Sequence, residues 1–151
     1  MINRAKLYER IYLQLSELLG KTGDIDARMA TVSAVLHHKL GMVLWTGFYS
    51  LKNGELLVKT YQGPLACQVL KKNTGVCWTA VNKQKTIIVP DVHQFEGHIA
   101  CDPRAKSEIV VPVRDKNGEI IGVLDIDSKV LDRFDETDAI ELEKITGLLF
   151  K

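Results

Sequence analysis

Apolar residues in the first forty positions fall on two stripes. Leu7, Ile11, Leu15, Leu18 and Leu19 recur at steps of three and four, and after the Gly20 to Gly23 break Ile25, Met29, Val32, Val35, Leu36 and Leu40 do so again. That spacing puts each set on one face of a helix. The period then shortens to that of strands. Met42 to Tyr49 reads as one strand, and Asn53-Gly54, a pair suited to a tight turn with positive φ, joins it to a second over Leu56 to Thr60. A short helix is predicted from about Thr74, which can cap Val76 and Cys77, towards Asn82, followed by a short strand over Thr86 to Val89 that stops at Pro90. Residues 90 to 107 mix prolines, a glycine, histidines and acids without any period, and long ordered loops of this kind tend to carry function. Ile109 to Val113 and Glu119 to Ile126 form a second hairpin around Asp115 to Gly118. The chain closes with a helix from about Glu136 to Leu149, capped by Asp135, with Ile140, Leu142, Ile145 and Leu148 on its apolar face.

Helices at both ends of two hairpins and a short central strand predict an α+β fold. Its antiparallel sheet is covered by helices on one face and free on the other to hold loops and a pocket. The length fits a single domain over 1–151, with no internal repeat. Composition acts mainly by exclusion. A hydrophobic share of 46% and a charged share of 26% belong to an ordinary folded protein, and 20 Lys and Arg against 19 Asp and Glu argue against a chain built to grip nucleic acid. No stretch reaches the roughly 18 apolar residues of a membrane span, and the charged N-terminal residues lack a signal-peptide core, so a cytoplasmic location is expected.

An intracellular setting changes how Cys67, Cys77 and Cys101 are read, as redox thiols or metal ligands rather than a disulfide framework. Cys77 falls in the first turn of the predicted short helix, where free N–H groups and the helix field lower a thiol pKa; packing beneath Trp78 is the plainer alternative. Cys101 lies in the irregular segment, where Arg104, Lys106 and His98 favour a thiolate and Asp102 opposes it. Zinc would need His93, His98 and Cys101 completed by Cys67 or Cys77, but there is no Cys-x2-Cys pair and no His-Glu-x-x-His, so no metal is expected. Hydrogen bonding within the loop accounts for the two histidines equally well.

Acidic and aromatic residues supply the rest of the candidate chemistry. Asp125 and Asp127 flank Ile126 and share one face of the last strand, fitted to hold a cationic amino group or a proton, or simply a solvated strand end. Glu108, which opens the strand after the cysteine loop, is a candidate proton donor or an ion-pair partner of Lys106 or Arg104. Trp45 and Tyr49, four apart in a strand, share a face and fit either a wall for a thioether-like group or core packing.

Taken together, several stretches resemble the free methionine-(R)-sulfoxide reductases of the GAF-domain superfamily. They are Trp45-Thr46-Gly47-Phe48-Tyr49, Gln62-Gly63-Pro64-Leu65-Ala66-Cys67, Gly75-Val76-Cys77, Val89-Pro90-Asp91-Val92-His93, Gly97-His98-Ile99-Ala100-Cys101-Asp102, Ser107-Glu108-Ile109-Val110-Val111-Pro112 and Gly122-Val123-Leu124-Asp125-Ile126-Asp127-Ser128. The resemblance covers nearly the whole chain. It implies a six-stranded sheet with flanking helices, a homodimer, no bound cofactor, and thioredoxin as electron donor. It also implies Cys101 as nucleophile, Cys67 as resolving thiol, Cys77 as an auxiliary thiol, and a pocket built from Trp45, Tyr49, Glu108, Asp125 and Asp127. The chemistry so implied is reduction of free L-methionine-(R)-sulfoxide through a cysteine sulfenic acid and an intramolecular disulfide. A noncatalytic GAF ligand sensor and a zinc-stabilised binding protein are the competing readings.

Overall fold

Each amphipathic stripe becomes a helix whose start is fixed by a side chain. The computed structural model describes residues 3–98 and 101–151, so Ile99 and Ala100 of the cysteine loop lie outside it. Helix α1 (Arg4–Leu19) is capped by Asn3, whose side chain accepts from the Ala5 N–H, and α2 (Ile25–Lys39) by Asp24, which accepts from Ala27. The last turn of α2 carries His37, His38 and Lys39, basic groups at the end where unpaired carbonyls gather.

Six strands follow: β1 (Val43–Lys52), β2 (Glu55–Gln62), β3 (Val69–Leu70), β4 (Ile87–Val89), β5 (Ser107–Arg114) and β6 (Ile120–Ser128). They pair antiparallel in the order β3-β2-β1-β6-β5-β4. The first hairpin turns through Asn53 and Gly54, both at positive φ (52° and 76°) as that turn requires. Helix α3 (Gly75–Lys83) lies between β3 and β4, and α4 (Glu136–Thr146) ends the chain through a 3-10 turn (Gly147–Phe150).

Strand alternation divides the interior in two. Phe48, Ile109, Val111, Leu124 and Ile126 face α1, α2 and α4 in the larger core. Trp45, Tyr49, Val110 and Val123 face the other way, against α3 and its Val76, Cys77 and Trp78. A sheet with three helices on one face and a lightly covered second face is thus what forms, with α3 packed on the second face. Among the described residues no helix is long and apolar enough to cross a membrane.

Several local expectations differ from the fold. Thr74 does not cap α3; its hydroxyl donates instead to the Lys71 carbonyl at 2.6 Å. Leu18 and Ile140 stay exposed (42% and 47%), at the edge of their stripes. Tyr8, an apolar-face residue outside the stripe, is fully buried because Asp138 of α4 accepts its hydroxyl at 2.6 Å. The closing helix ends at Thr146, three residues short of Leu149.

Candidate active site

Register decides which side chains meet. On β6, Val123, Asp125 and Asp127 point to the α3 face, and antiparallel pairing sets Asp127 opposite both Trp45 of β1 and Glu108 of β5. Asp125 lies opposite Gly47 and Val110. Three carboxyl side chains therefore meet on the floor of one pocket, walled by Trp45 and Tyr49 and bounded by Cys77, His98 and Cys101.

Gly47 makes the aromatic wall possible. A β-carbon there would run into the Tyr61 β-carbon, the far edge of the Trp45 ring and the Thr60 carbonyl. Without it, the Trp45 indole lies stacked between Tyr49 and Tyr61, ring centres 5.6 and 5.2 Å away. Gly47→Ala is expected to cost about 1–3 kcal/mol of stability, the usual penalty of overpacking, and to displace Trp45 from its stack. Urea unfolding together with Trp fluorescence checks this.

Cys67 and Cys101, 34 residues apart, are joined by a disulfide with α-carbons 5.8 Å apart. This bond ties the loop after β2 to the loop before β5 at the pocket. Cys101 is exposed while Cys77 is a free, buried thiol. While the disulfide is formed, Cys67 and Cys101 offer no thiolate to a metal. The metal-capable group that does assemble among the described residues is Cys77, Glu108 and Asp125.

Burial dominates the electrostatics. Glu108 and Asp125 are each 5% exposed, and desolvation raises the carboxyl pKa of Glu108, Asp125 and Asp127 alike. Their mutual contacts then separate them: everything around Glu108 pushes it higher, Asp127 is pushed up by the charge of Asp125 and only partly drawn back by Glu108, and Asp125 is drawn down by its neighbours and raised least. Glu108 is thus the group that keeps a proton. Burial, then His93, lowers the His98 pKa, so His98 Nε2 and Glu108 Oε1, 3.8 Å apart, meet as neutral groups rather than an ion pair. Burial also raises Tyr49, followed by the charge of Asp125.

Two charge expectations are corrected. Cys77 does occupy the first turn of α3, but burial and the neighbouring carboxylates push its thiol pKa up, opposite to the expected lowering by the helix start. Arg104 is turned onto Asp102, with guanidinium nitrogens 2.8 and 3.1 Å from the carboxylate, which drops to about 2. The Arg104 guanidinium is thus committed to Asp102. Glu108 faces the carboxyl floor and pairs with neither Arg104 nor Lys106.

Every sequence-predicted pocket residue, Trp45, Tyr49, Glu108, Asp125 and Asp127, reaches this one cavity together with Cys77 and Cys101. Cys67 reaches it through its disulfide. Tyr61, which braces Trp45, was not anticipated; its i, i+2 relation to Lys59 carries no pocket signal, and only the pairing Gly47↔Tyr61 locates it. Two buried polar atoms in the pocket have no hydrogen-bond partner among the described residues: the Trp45 Nε1–H lacks an acceptor and Asp125 Oδ1 lacks a donor, which leaves one of each free for a ligand.

The family model described as GAF domain matches residues 24–149. The free methionine-R-sulfoxide reductase of Escherichia coli (strain K12) is 39% identical over 150 residues, spanning 99% of this chain and 90% of that protein. Among solved structures, the free methionine-R-sulfoxide reductase of Neisseria meningitidis in complex with its substrate superposes with a TM-score of 0.94 at 39% identity, over 99% of this chain and 89% of that one. A putative GAF sensor protein from Burkholderia vietnamiensis gives 0.95 at 39% identity, over 99% and 95%.

Proposed function

The chain belongs to the GAF-domain family, and from that premise we propose that it is a reductase of free L-methionine-(R)-sulfoxide. The observation that carries this reading is the Cys67–Cys101 disulfide at a pocket floored by three carboxyls and walled by two stacked rings. A ligand sensor needs no cysteine pair at the mouth of its pocket. The R preference and the free amino acid as substrate follow the relatives named above.

Each residue then has a task. Trp45 and Tyr49 pack the polarisable sulfur and its methyl group. Asp125 and Asp127 hold the substrate ammonium. Glu108 gives its proton to the sulfoxide oxygen as the Cys101 thiolate attacks sulfur, so that sulfoxide, thiolate and proton become methionine and Cys101 sulfenic acid. Cys67 condenses with the sulfenic acid, forming the disulfide and releasing water. An external dithiol of the thioredoxin type reduces that disulfide by exchange, becoming oxidised itself. The exposure of Cys101 supports such access. A homodimer in the cytoplasm is the proposed working form.

The test is a steady-state assay with free R epimer, free S epimer and peptide-bound sulfoxide, in the presence of a reducing dithiol. Turnover of the free R epimer alone is expected, and no turnover of any free sulfoxide would defeat the reading. Cys67→Ser is expected to release about one methionine per protein and then stall, losing most steady-state turnover. Undiminished cycling in that variant would remove Cys67 as resolving thiol.

A further inference from the structure

Cys77 has no task in that cycle. It is buried on the first turn of α3, whereas the disulfide is made by the other two cysteines. Its sulfur and one carboxyl oxygen each of Glu108 and Asp125 all lie within 4.8 Å of one another. Cys77 thus brings an S–H donor to within that distance of the Asp125 carboxylate.

Resting on the reductase reading, we propose that Cys77 is a positioning residue and not a redox thiol: its S–H donates to Asp125, keeping that buried carboxylate charged towards the substrate ammonium and leaving the proton on Glu108. Asp125 is where such help is needed. It lies 5% exposed, and its Oδ1 has no hydrogen-bond partner among the described residues. A buried carboxylate is held in its charged form by the donors around it, and each one lost pushes it towards the neutral acid. Among the described residues, Glu108 across the sheet and Cys77 from the helix above bring donors to this carboxylate. The other ionisable groups at this place are Asp127 on the same strand, Tyr49 on β1, and His98 beside Glu108 from the loop before β5. Asp127 is itself pushed towards the neutral acid by burial and by the charge of Asp125, and it shares its contact with Glu108.

The inverted thiol character fits the same role. A sulfur buried against carboxylates stays protonated, which makes it a poor nucleophile and a steady donor.

Aspartate carbon-13 infrared spectroscopy on the reduced protein, with Asp125→Asn to assign the band, reads the protonation of Asp125 without substrate. In Cys77→Ala the Asp125 carboxylate band is expected to give way to the acid at a higher pH than in the wild type. Cys77→Ser, which keeps a donor of similar size, is expected to bring it back. In turnover assays, Cys77→Ala should raise KM about tenfold, the size of one hydrogen bond to a charged group, with a smaller change in kcat, and Cys77→Ser should recover most of that loss. Differential alkylation after one turnover is expected to find Cys77 as a free thiol. An Asp125 band that titrates alike in wild type and Cys77→Ala overturns the proposal, as does a Cys77→Ser variant that loses turnover as Cys77→Ala does, the mark of a required sulfur. These outcomes concern Cys77 alone. Failure of the wild type on every free sulfoxide instead removes the reductase reading, and the infrared result still decides whether Cys77 sets the charge of Asp125.

Discussion

Cys101→Ser is expected to abolish methionine formation in the first turnover as well as in cycling. The attacking sulfur forms the bond that accepts the sulfoxide oxygen, and a serine hydroxyl at that place is neither ionised near neutral pH nor able to carry a stable oxygen adduct. Removing the group that makes the covalent intermediate is expected to lower kcat by about 10^4-fold or more. Neither remaining cysteine can substitute. Cys67 sits across the loop junction, and the Cys77 thiol is kept protonated by burial and the carboxylates around it. The check is quantitation of methionine from excess reduced protein. One methionine per protein from Cys101→Ser would assign the nucleophile elsewhere, and the contrast with Cys67→Ser, which should yield that first methionine, separates attack from resolution.

Glu108→Gln is expected to produce a protein that is slower and more stable. An amide keeps a donor to Asp125 and Asp127 but has no proton to transfer, so kcat should fall by about 10^2 to 10^4-fold, the usual worth of general acid catalysis. Stability moves the other way. The folded-state pKa of Glu108 lies above its ordinary value, so as pH rises through the ordinary glutamate range the unfolded chain releases a proton that the folded chain retains. Stability is therefore lost with rising pH, until the pH passes the folded value. Replacing Glu108 by a neutral residue removes this cost. Urea midpoints should be higher for Glu108→Gln than for the wild type at neutral pH and converge at acid pH. Equal midpoints at both would mean that Glu108 is not held protonated, and equal rates would mean that it is not the acid.

The wild-type pH profile follows from the same assignment. Activity should fall on the alkaline side as Glu108 loses its proton, and Glu108→Gln should lack that limb.

Much of the fold was legible because it rests on local periodicity. Stripes of spacing three and four define α1 and α2, and Asn53-Gly54 announces the first hairpin through its demand for positive φ. Strand β3 was not legible: its two residues, Val69 and Leu70, are a strand only because Leu57 and Leu56 pair with them. The buried position of Tyr8 likewise depends on Asp138, 130 residues away.

The site divides along the same line. Alternation alone puts Asp125 beside Asp127 and Trp45 beside Tyr49, each pair within one strand. That Glu108 joins them depends on the register of β5 against β6, and the pairing of Cys67 with Cys101 came from family resemblance, with no local signal to select it. Charge was the least legible property. Cys77 at a helix start reads as a thiolate until its depth and its carboxylate neighbours are known, and Arg104 reads as a partner of Cys101 until it turns onto Asp102. In both cases a local field loses to a neighbour, or a loss of solvent, that the chain supplies only when folded.

The central claim is that one sulfoxide is reduced at the expense of one cysteine pair. Reduced wild-type protein, freed of reductant and mixed with a slight excess of free L-methionine-(R)-sulfoxide, tests it by counting methionine released and mapping disulfides by mass spectrometry. One methionine per chain, a new Cys67–Cys101 disulfide and an untouched Cys77 are expected. Methionine formed without loss of those two thiols, or thiols retained with no methionine formed, would contradict it.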